Sequence, residues 1–188
     1  MLFATKANAQ VGRDDLPDEV VYKGLRFKVN TAFVSVNGGF TSSLIHPVKF
    51  PFNHFGIDYR HPLKKKEDKY DVITGGILSY GDNKQLRLYN FHAGYGIRYP
   101  KKKSNSLLAI GPCINRGYVP VDSSKYAGYF TFGLYAEAEW VYKIYYDVGL
   151  GPSLYVTYDF NSPIYGIRLT LYLSNSYMGK SKNEKDSD

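Results

Sequence analysis

Phe130-Thr131-Phe132-Gly133-Leu134-Tyr135-Ala136-Glu137-Ala138-Glu139-Trp140 alternates without a break. Successive side chains of a strand point to opposite sides. Phe130, Phe132, Leu134, Ala136, Ala138 and Trp140 therefore share one face, and Thr131, Gly133, Tyr135, Glu137 and Glu139 the other. The next two stretches repeat the pattern. Ile144, Tyr146, Val148, Leu150, Leu154, Val156 and Tyr158 oppose Asp147, Gly149, Gly151, Ser153 and Thr157. Tyr165, Ile167, Leu169, Leu171 and Leu173 oppose Gly166, Arg168, Thr170 and Ser174.

Working back toward the N-terminus, the same alternation predicts strands over 24–36, 48–60, 69–80, 85–99 and 106–117, before those at 126–141, 144–158 and 164–174. Turn-forming clusters separate them: Asn37-Gly38-Gly39, His61-Pro62, Gly81-Asp82-Asn83-Lys84, Pro100, Pro120 and Asn161-Ser162-Pro163. These strands are roughly 11 to 16 residues long, where globular strands usually run ~5–6. Long strands with short connections pair readily as a meander, so the fold class is all-β, an up-and-down antiparallel barrel of about eight strands. The barrel occupies 24–174 of the 188 residues, a length that suits one domain.

Composition agrees. The chain holds 19 Tyr, 11 Phe and 18 Gly but 2 Met and 1 Trp, a bias toward pleated surfaces. Its mean hydropathy is −0.35, and no stretch approaches the ~20 apolar residues of a spanning helix. Alternation hides the apolar content of a membrane barrel in this way. Aromatic residues ten positions apart mark strand ends: Tyr70 and Tyr80, Tyr89 and Tyr99, Phe130 and Trp140. Ten residues at ~3.4 Å rise and ~45° tilt cover ~24 Å, the height of an outer-membrane apolar band between its aromatic girdles. Tyr59, Tyr158 and Tyr165 flank further turns and complete the expected girdle. Lipid is therefore the expected surrounding of a transmembrane barrel.

The pattern over 24–174 resembles the small outer-membrane barrels of Gram-negative bacteria. Gly166-Ile167-Arg168-Leu169-Thr170-Leu171 is similar to the last-strand signal by which such barrels are recognised by their assembly machinery. It departs in having Ile164 where a polar residue is usual and in continuing past the strand. The resemblance implies residence in the outer membrane with both termini periplasmic. The turns at 61–68, 100–105 and 141–143 then face the periplasm, and those at 37–47, 81–84, 117–125 and 159–163 face outside. Residues 1–9 read as the remnant of a signal peptide, with Ala7-Asn8-Ala9 fitting a cleavage site before Gln10. Residues 10–23 form a polar N-terminal extension, and 175–188 a mixed-charge tail expected to be disordered.

The polar face carries charges that must point into the lumen: Arg26, Lys28, Arg60 and Arg98 on the first, second and fourth strands, Glu137, Glu139 and Asp147 on the sixth and seventh, and Arg168 on the eighth. Eight strands enclose a space just wide enough for side chains to fill, so walls of opposite sign imply a salt-bridged plug. A proton or ion path is the alternative use of the same charges.

The net charge of +7 lies in short runs between strands, Lys64-Lys65-Lys66 and Lys101-Lys102-Lys103. No basic helix accompanies them, so no nucleic-acid partner is expected. Cys113 is the only cysteine, which leaves neither an intramolecular disulfide nor a cysteine zinc site. It shares a face with Gly111 and Asn115 and reads as lumen filling. Among His46, His54, His61 and His92, the first and third stand beside prolines in turns. His92 shares a face with Asn90, Gly94 and Arg98 and points inward. With no metal-ligand spacing, phosphate loop or local catalytic constellation, no cofactor and no enzyme activity are expected. The leading reading is an envelope barrel with a structural or interaction role, with envelope proteins as partners in a secretion or assembly complex. A soluble lipocalin-type barrel and a lipid-modifying enzyme, with His92 as its first candidate, are the alternatives.

Overall fold

The computed structural model describes residues 19–43, 52–66, 68–81, 87–122, 125–159 and 163–180. Eight strands close into one antiparallel barrel: β3 (Phe33–Ser43), β4 (Phe52–Lys66), β5 (Lys69–Gly81), β6 (Arg87–Pro100), β7 (Ser104–Asp122), β8 (Lys125–Lys143), β9 (Val148–Asp159) and β10 (Pro163–Ser174). Each pairs with the next, and β10 returns to β3 from Ile164↔Ser43 to Ser174↔Phe33. Three short strands, β1 (Glu19–Tyr22), β2 (Leu25–Lys28) and β11 (Tyr177–Lys180), form a separate sheet in the order β1-β2-β11.

That second sheet corrects the expected start of the barrel. The stretch 24–36 is not one strand. Lys23 (φ 51°) and Gly24 (φ 76°) both take the left-handed conformation that closes a tight hairpin between β1 and β2. The barrel begins only at Phe33, and Asn37-Gly38-Gly39, which reads as a turn, lies inside β3. The physical reason is close approach. A Cβ on Gly39 would stand 2.3 Å from the Ile167 carbonyl oxygen and 2.6 Å from the Arg168 Cα, so glycine lets β10 come in.

Other boundaries move outward. β4 runs through His61-Pro62 to Lys66, and β7 runs through Pro120 to Asp122. Register shifts at Pro62/Lys65 and Pro120/Asp122 place each proline at an irregularity in the ladder, where its missing N–H costs little. The seventh predicted strand starts late: Ile144–Asp147 form the β8–β9 turn and Val148 begins β9. The tail expected to be disordered instead supplies β11, paired with β2. The signal-peptide remnant, residues 10–18, His46 and the tail beyond Lys180 lie outside the described residues.

The small sheet lies across the barrel end where both chain ends emerge. Tyr22, Phe27 and Val29 pack with Tyr70, Val72, Leu107, Ala109 and Tyr146 in one buried cluster. Phe27 lies 5.0 Å from the Tyr146 ring, centroid to centroid. This sheet is an apolar cap on one mouth of the lumen.

The outer wall is apolar on every strand. Phe40, Ile57, Ile77, Phe91, Ile110, Leu134, Leu154 and Leu169, one from each of β3 to β10, are between 44% and 57% exposed. The interior is charged and closed to solvent. A soluble lipocalin-type barrel requires the reverse, so that alternative falls.

Candidate functional site

The middle of the lumen is an ion-pair layer contributed by four strands. Asp58 and Arg60 come from β4, His92 from β6, Glu137 and Glu139 from β8 and Arg168 from β10, and each of these side chains is fully buried. The strand period of two delivers them: residues two apart on β4 and on β8 necessarily face the same way. Arg60 Nη2 lies 2.7 Å from Glu137 Oε1, 3.1 Å from Glu139 Oε2 and 3.5 Å from Asp58 Oδ2. Arg168 pairs with Glu137 and stands 3.5 Å from Asp58. His92 Nε2 is 3.0 Å from Asp58 Oδ1, and its ring stacks on Tyr135 at 3.9 Å.

Neutral groups position these charges. Asn37 donates to Asp58 at 2.6 Å and accepts from Thr170 at 2.7 Å. Arg168 Nε donates to Ser153 Oγ at 2.7 Å, and Tyr135 donates to Glu137 at 2.8 Å. Gly76 leaves the space that Asp58 fills, since a Cβ there would stand 2.1 Å from Asp58 Oδ1. Six ionisable groups are thereby brought together in a region of low dielectric, where an unpaired one would be costly.

Two further layers flank this one. Toward the cap, Arg98 donates to Asn105 at 2.8 Å and to the Tyr172 hydroxyl at 2.9 Å, and its guanidinium lies 4.6 Å from the Phe33 ring. Toward the other mouth, Tyr129, Thr131 and Asn115 donate to Asp159 at 2.5, 2.9 and 3.3 Å. There too, Thr41 Oγ1 is 2.8 Å from His54 Nδ1 and hydrogen-bonded to Tyr155. Thr41 is 1% and His54 5% exposed, so this hydroxyl–imidazole pair is buried within the lumen. Cys113 is buried among Leu78, Tyr80, Leu88 and Tyr135.

Of the charges expected in the lumen, Arg60, Glu137, Glu139 and Arg168 come together. Arg98 is inside but bonded to neutral partners in its own layer, so the expected meeting of Arg98 with the β8 carboxylates does not occur. Arg26 and Lys28 lie in the cap; Arg26 is exposed and pairs with Glu19. Asp147 sits in the β8–β9 turn, half-buried, where its carbonyl accepts from the Ser174 amide. Asp58 was not anticipated, although its parity with Arg60 on one strand places it inward. His92 has its carboxylate after all, from β4 rather than from its own strand.

The expected girdle divides. Tyr59, Tyr89, Phe130, Trp140, Tyr158 and Tyr165 are exposed on the outer wall, and Tyr99 partly so. Register links them: Tyr99 pairs with Ser106 and Ser106 with Trp140 near one rim, and Tyr89 with Arg116 and Arg116 with Phe130 near the other. Tyr70 and Tyr80 are the exceptions, buried inward at opposite ends of β5. Tyr146, expected outward, turns under the cap instead, where its ring carries the Lys143 ammonium at 3.8 Å. Burial pushes the Tyr146 phenol up to about 12, so the ring is a neutral aromatic at physiological pH. His61 is an exposed strand residue stacked on Tyr59, not a turn residue.

No protein-family model matches the chain, and no curated protein matches it by sequence. Solved structures share its architecture. The N-terminal β-barrel domain of Pseudomonas aeruginosa OprF superposes with a TM-score of 0.59 at 10% identity, covering 77% of this chain and 97% of that one. Ail, the attachment invasion locus protein of Yersinia pestis, gives 0.56 at 8% identity, covering 78% and 95%. Neisserial surface protein A gives 0.51 at 13% identity, covering 76% and 94%. At such identities the likeness concerns the fold, and the fold is that of the small outer-membrane barrels of Gram-negative bacteria.

Proposed function

We propose that this protein is an integral outer-membrane barrel with a structural or interaction role, its lumen a fixed plug and not a conduit. One observation carries the reading: an uninterrupted apolar wall surrounds an ion-paired interior. In water that wall would be an aggregation surface far larger than a soluble monomer exposes. In a bilayer it is the required face, and the lumen charges are where charges belong. Both chain ends leave the barrel beside the cap, and even-stranded barrels keep their termini in the periplasm, so the capped end is the periplasmic one. Envelope partners would meet the protein there or on its outer wall.

The test is cellular and simple. Expressed behind a complete signal peptide, the chain should remain with outer membranes after a carbonate wash and migrate faster on gels unheated than boiled. A tag following Asp188 should be cleaved by added protease only after the outer membrane is permeabilised. A monodisperse preparation without detergent would overturn the membrane reading, and tag cleavage on intact cells would reverse the orientation.

A further inference from the structure

Under the rim of the capped end lies a cavity of about 370 Å³ that the plug does not use. Val20 of β1, Val29 after β2 and Tyr146 of the β8–β9 turn make its apolar floor, and Tyr99 and Pro100 of β6 its outer wall. Lys101 and Lys102, on the β6–β7 turn, stand at its edge with Asp68 of the β4–β5 turn. Tyr99 belongs to the aromatic level that continues through Ser106 to Trp140, so the cavity opens where the girdle ends.

The turn that carries the lysines is held rigid. The Lys101 amide donates to the Ser104 carbonyl at 2.8 Å, and the Lys143 amide to the Lys103 carbonyl at 2.9 Å. The buried Lys143 ammonium donates to the Lys101 carbonyl at 2.9 Å. These bonds use backbone atoms of 101–104, which leaves the three ammonium groups of Lys101, Lys102 and Lys103 exposed. Among the described residues none of the three forms an ion pair. Two exposed ammonium groups on a braced turn beside an apolar recess at girdle height have a matching chemistry: a phosphodiester headgroup, with its glycerol on the apolar floor and its acyl chains along the outer wall.

From this geometry we infer that the recess binds an anionic phospholipid of the periplasmic-facing leaflet, with its phosphate on Lys101 and Lys102. The inference rests on the membrane reading above and deepens it by naming a lipid class. Asp68 is the one carboxylate lining the recess, and its charge opposes the lipid's.

Full-length protein in neutral detergent is titrated with dioleoyl-phosphatidylglycerol and, in parallel, with dioleoyl-phosphatidylcholine, and bound lipid is counted by native mass spectrometry. One phosphatidylglycerol should be retained and phosphatidylcholine should not. Lys101→Gln with Lys102→Gln should weaken phosphatidylglycerol binding about tenfold, and Asp68→Asn should strengthen it. Lys64→Gln removes an exposed charge that does not line the recess and should leave the affinity unchanged. Equal retention of the two lipids, or a loss with Lys64→Gln as large as with the double variant, would overturn the site. Displacement of the lipid by an equal concentration of glycerol 3-phosphate would assign it to a free phosphate instead. A heat-modifiable, inserted barrel that fails to discriminate refutes this inference alone, whereas a chain that never inserts refutes the membrane reading beneath it.

Discussion

Arg60 and Glu137 are 77 residues apart in the chain and 2.7 Å apart across the lumen. Their meeting ties β4 to β8, strands that share no backbone ladder. Glu137 also holds Arg168 on β10, so one carboxylate connects three parts of the wall. A barrel closed only by neighbouring ladders can flatten; this cross-lumen contact opposes flattening.

Removing one member of such a pair should therefore cost more than its share. Glu137→Gln leaves Arg60 and Arg168 undercompensated and should destabilise the barrel by ~3–5 kcal/mol in urea titrations in lipid vesicles. Arg60→Gln should do the same, and the two together should cost less than the sum. Arg98→Gln combined with Glu137→Gln should be additive, because Arg98 is bonded to Asn105 and Tyr172. Non-additivity there, or additivity for Arg60 and Glu137, would contradict the pairing.

Depth should decide the cost of a charge on the outer wall. Leu169 lies midway along β10 and is 55% exposed. Replacing it with Arg should cost ~2–4 kcal/mol, whereas Leu63→Arg, near the capped end of β4, should cost ~0–1 kcal/mol. The same vesicle titration reads both, and equal costs would deny that a bilayer surrounds the barrel.

Strand parity made most of this legible in advance. β5, β6, β8 and β10 fall close to their expected bounds, and Gly133, Glu137 and Arg168 face inward as alternation requires. Parity failed where both faces of a strand are apolar. On β5, Ile73 and Ile77 face out while Tyr70, Val72, Leu78 and Tyr80 face in. The ten-residue spacing of Tyr70 and Tyr80 is the same on either face, so spacing alone could not choose. Tyr70 packs in the cap's own cluster and Tyr80 against Tyr155 and His54. The cap was illegible for a related reason. Leu25, Phe27 and Val29 alternate like a lipid-facing strand, but what covers them is Tyr146 and its neighbours, a contact made only by folding.

Gly76 should be intolerant of even one methyl group. Its Cβ would meet Asp58 Oδ1 at 2.1 Å and the Ile57 carbonyl oxygen at 2.7 Å. Gly76→Ala should cost ~1–3 kcal/mol through overpacking and push Asp58 away from His92. The displacement is readable as a changed His92 imidazole signal in NMR spectra of the labelled protein. A native-like imidazole signal would mean that the backbone gives way instead. Gly75→Ala is the control, since its nearest neighbour, the His92 carbonyl oxygen, is 3.6 Å from the added atom.

The cap should come away without the barrel. Its buried face depends on Phe27, 2% exposed and packed on Tyr146 and Tyr177, and the Lys28 amide donates to the Ser176 carbonyl at 2.7 Å on the chain leading into β11. Phe27→Ala should cost ~3–5 kcal/mol of local stability, enough to open a three-stranded sheet this small. Trypsin should then cut at Arg26 and Lys28 in the folded, detergent-solubilised variant and leave a protected fragment beginning near Phe33. The wild type should be cut there far more slowly. Cap loss should not open a conductance in planar bilayers, because the Arg98–Tyr172 layer and the Arg60–Glu137 layer still close the lumen behind it. A current appearing in Phe27→Ala would make the cap the seal, and global collapse of heat-modifiability would make it part of the barrel's own core.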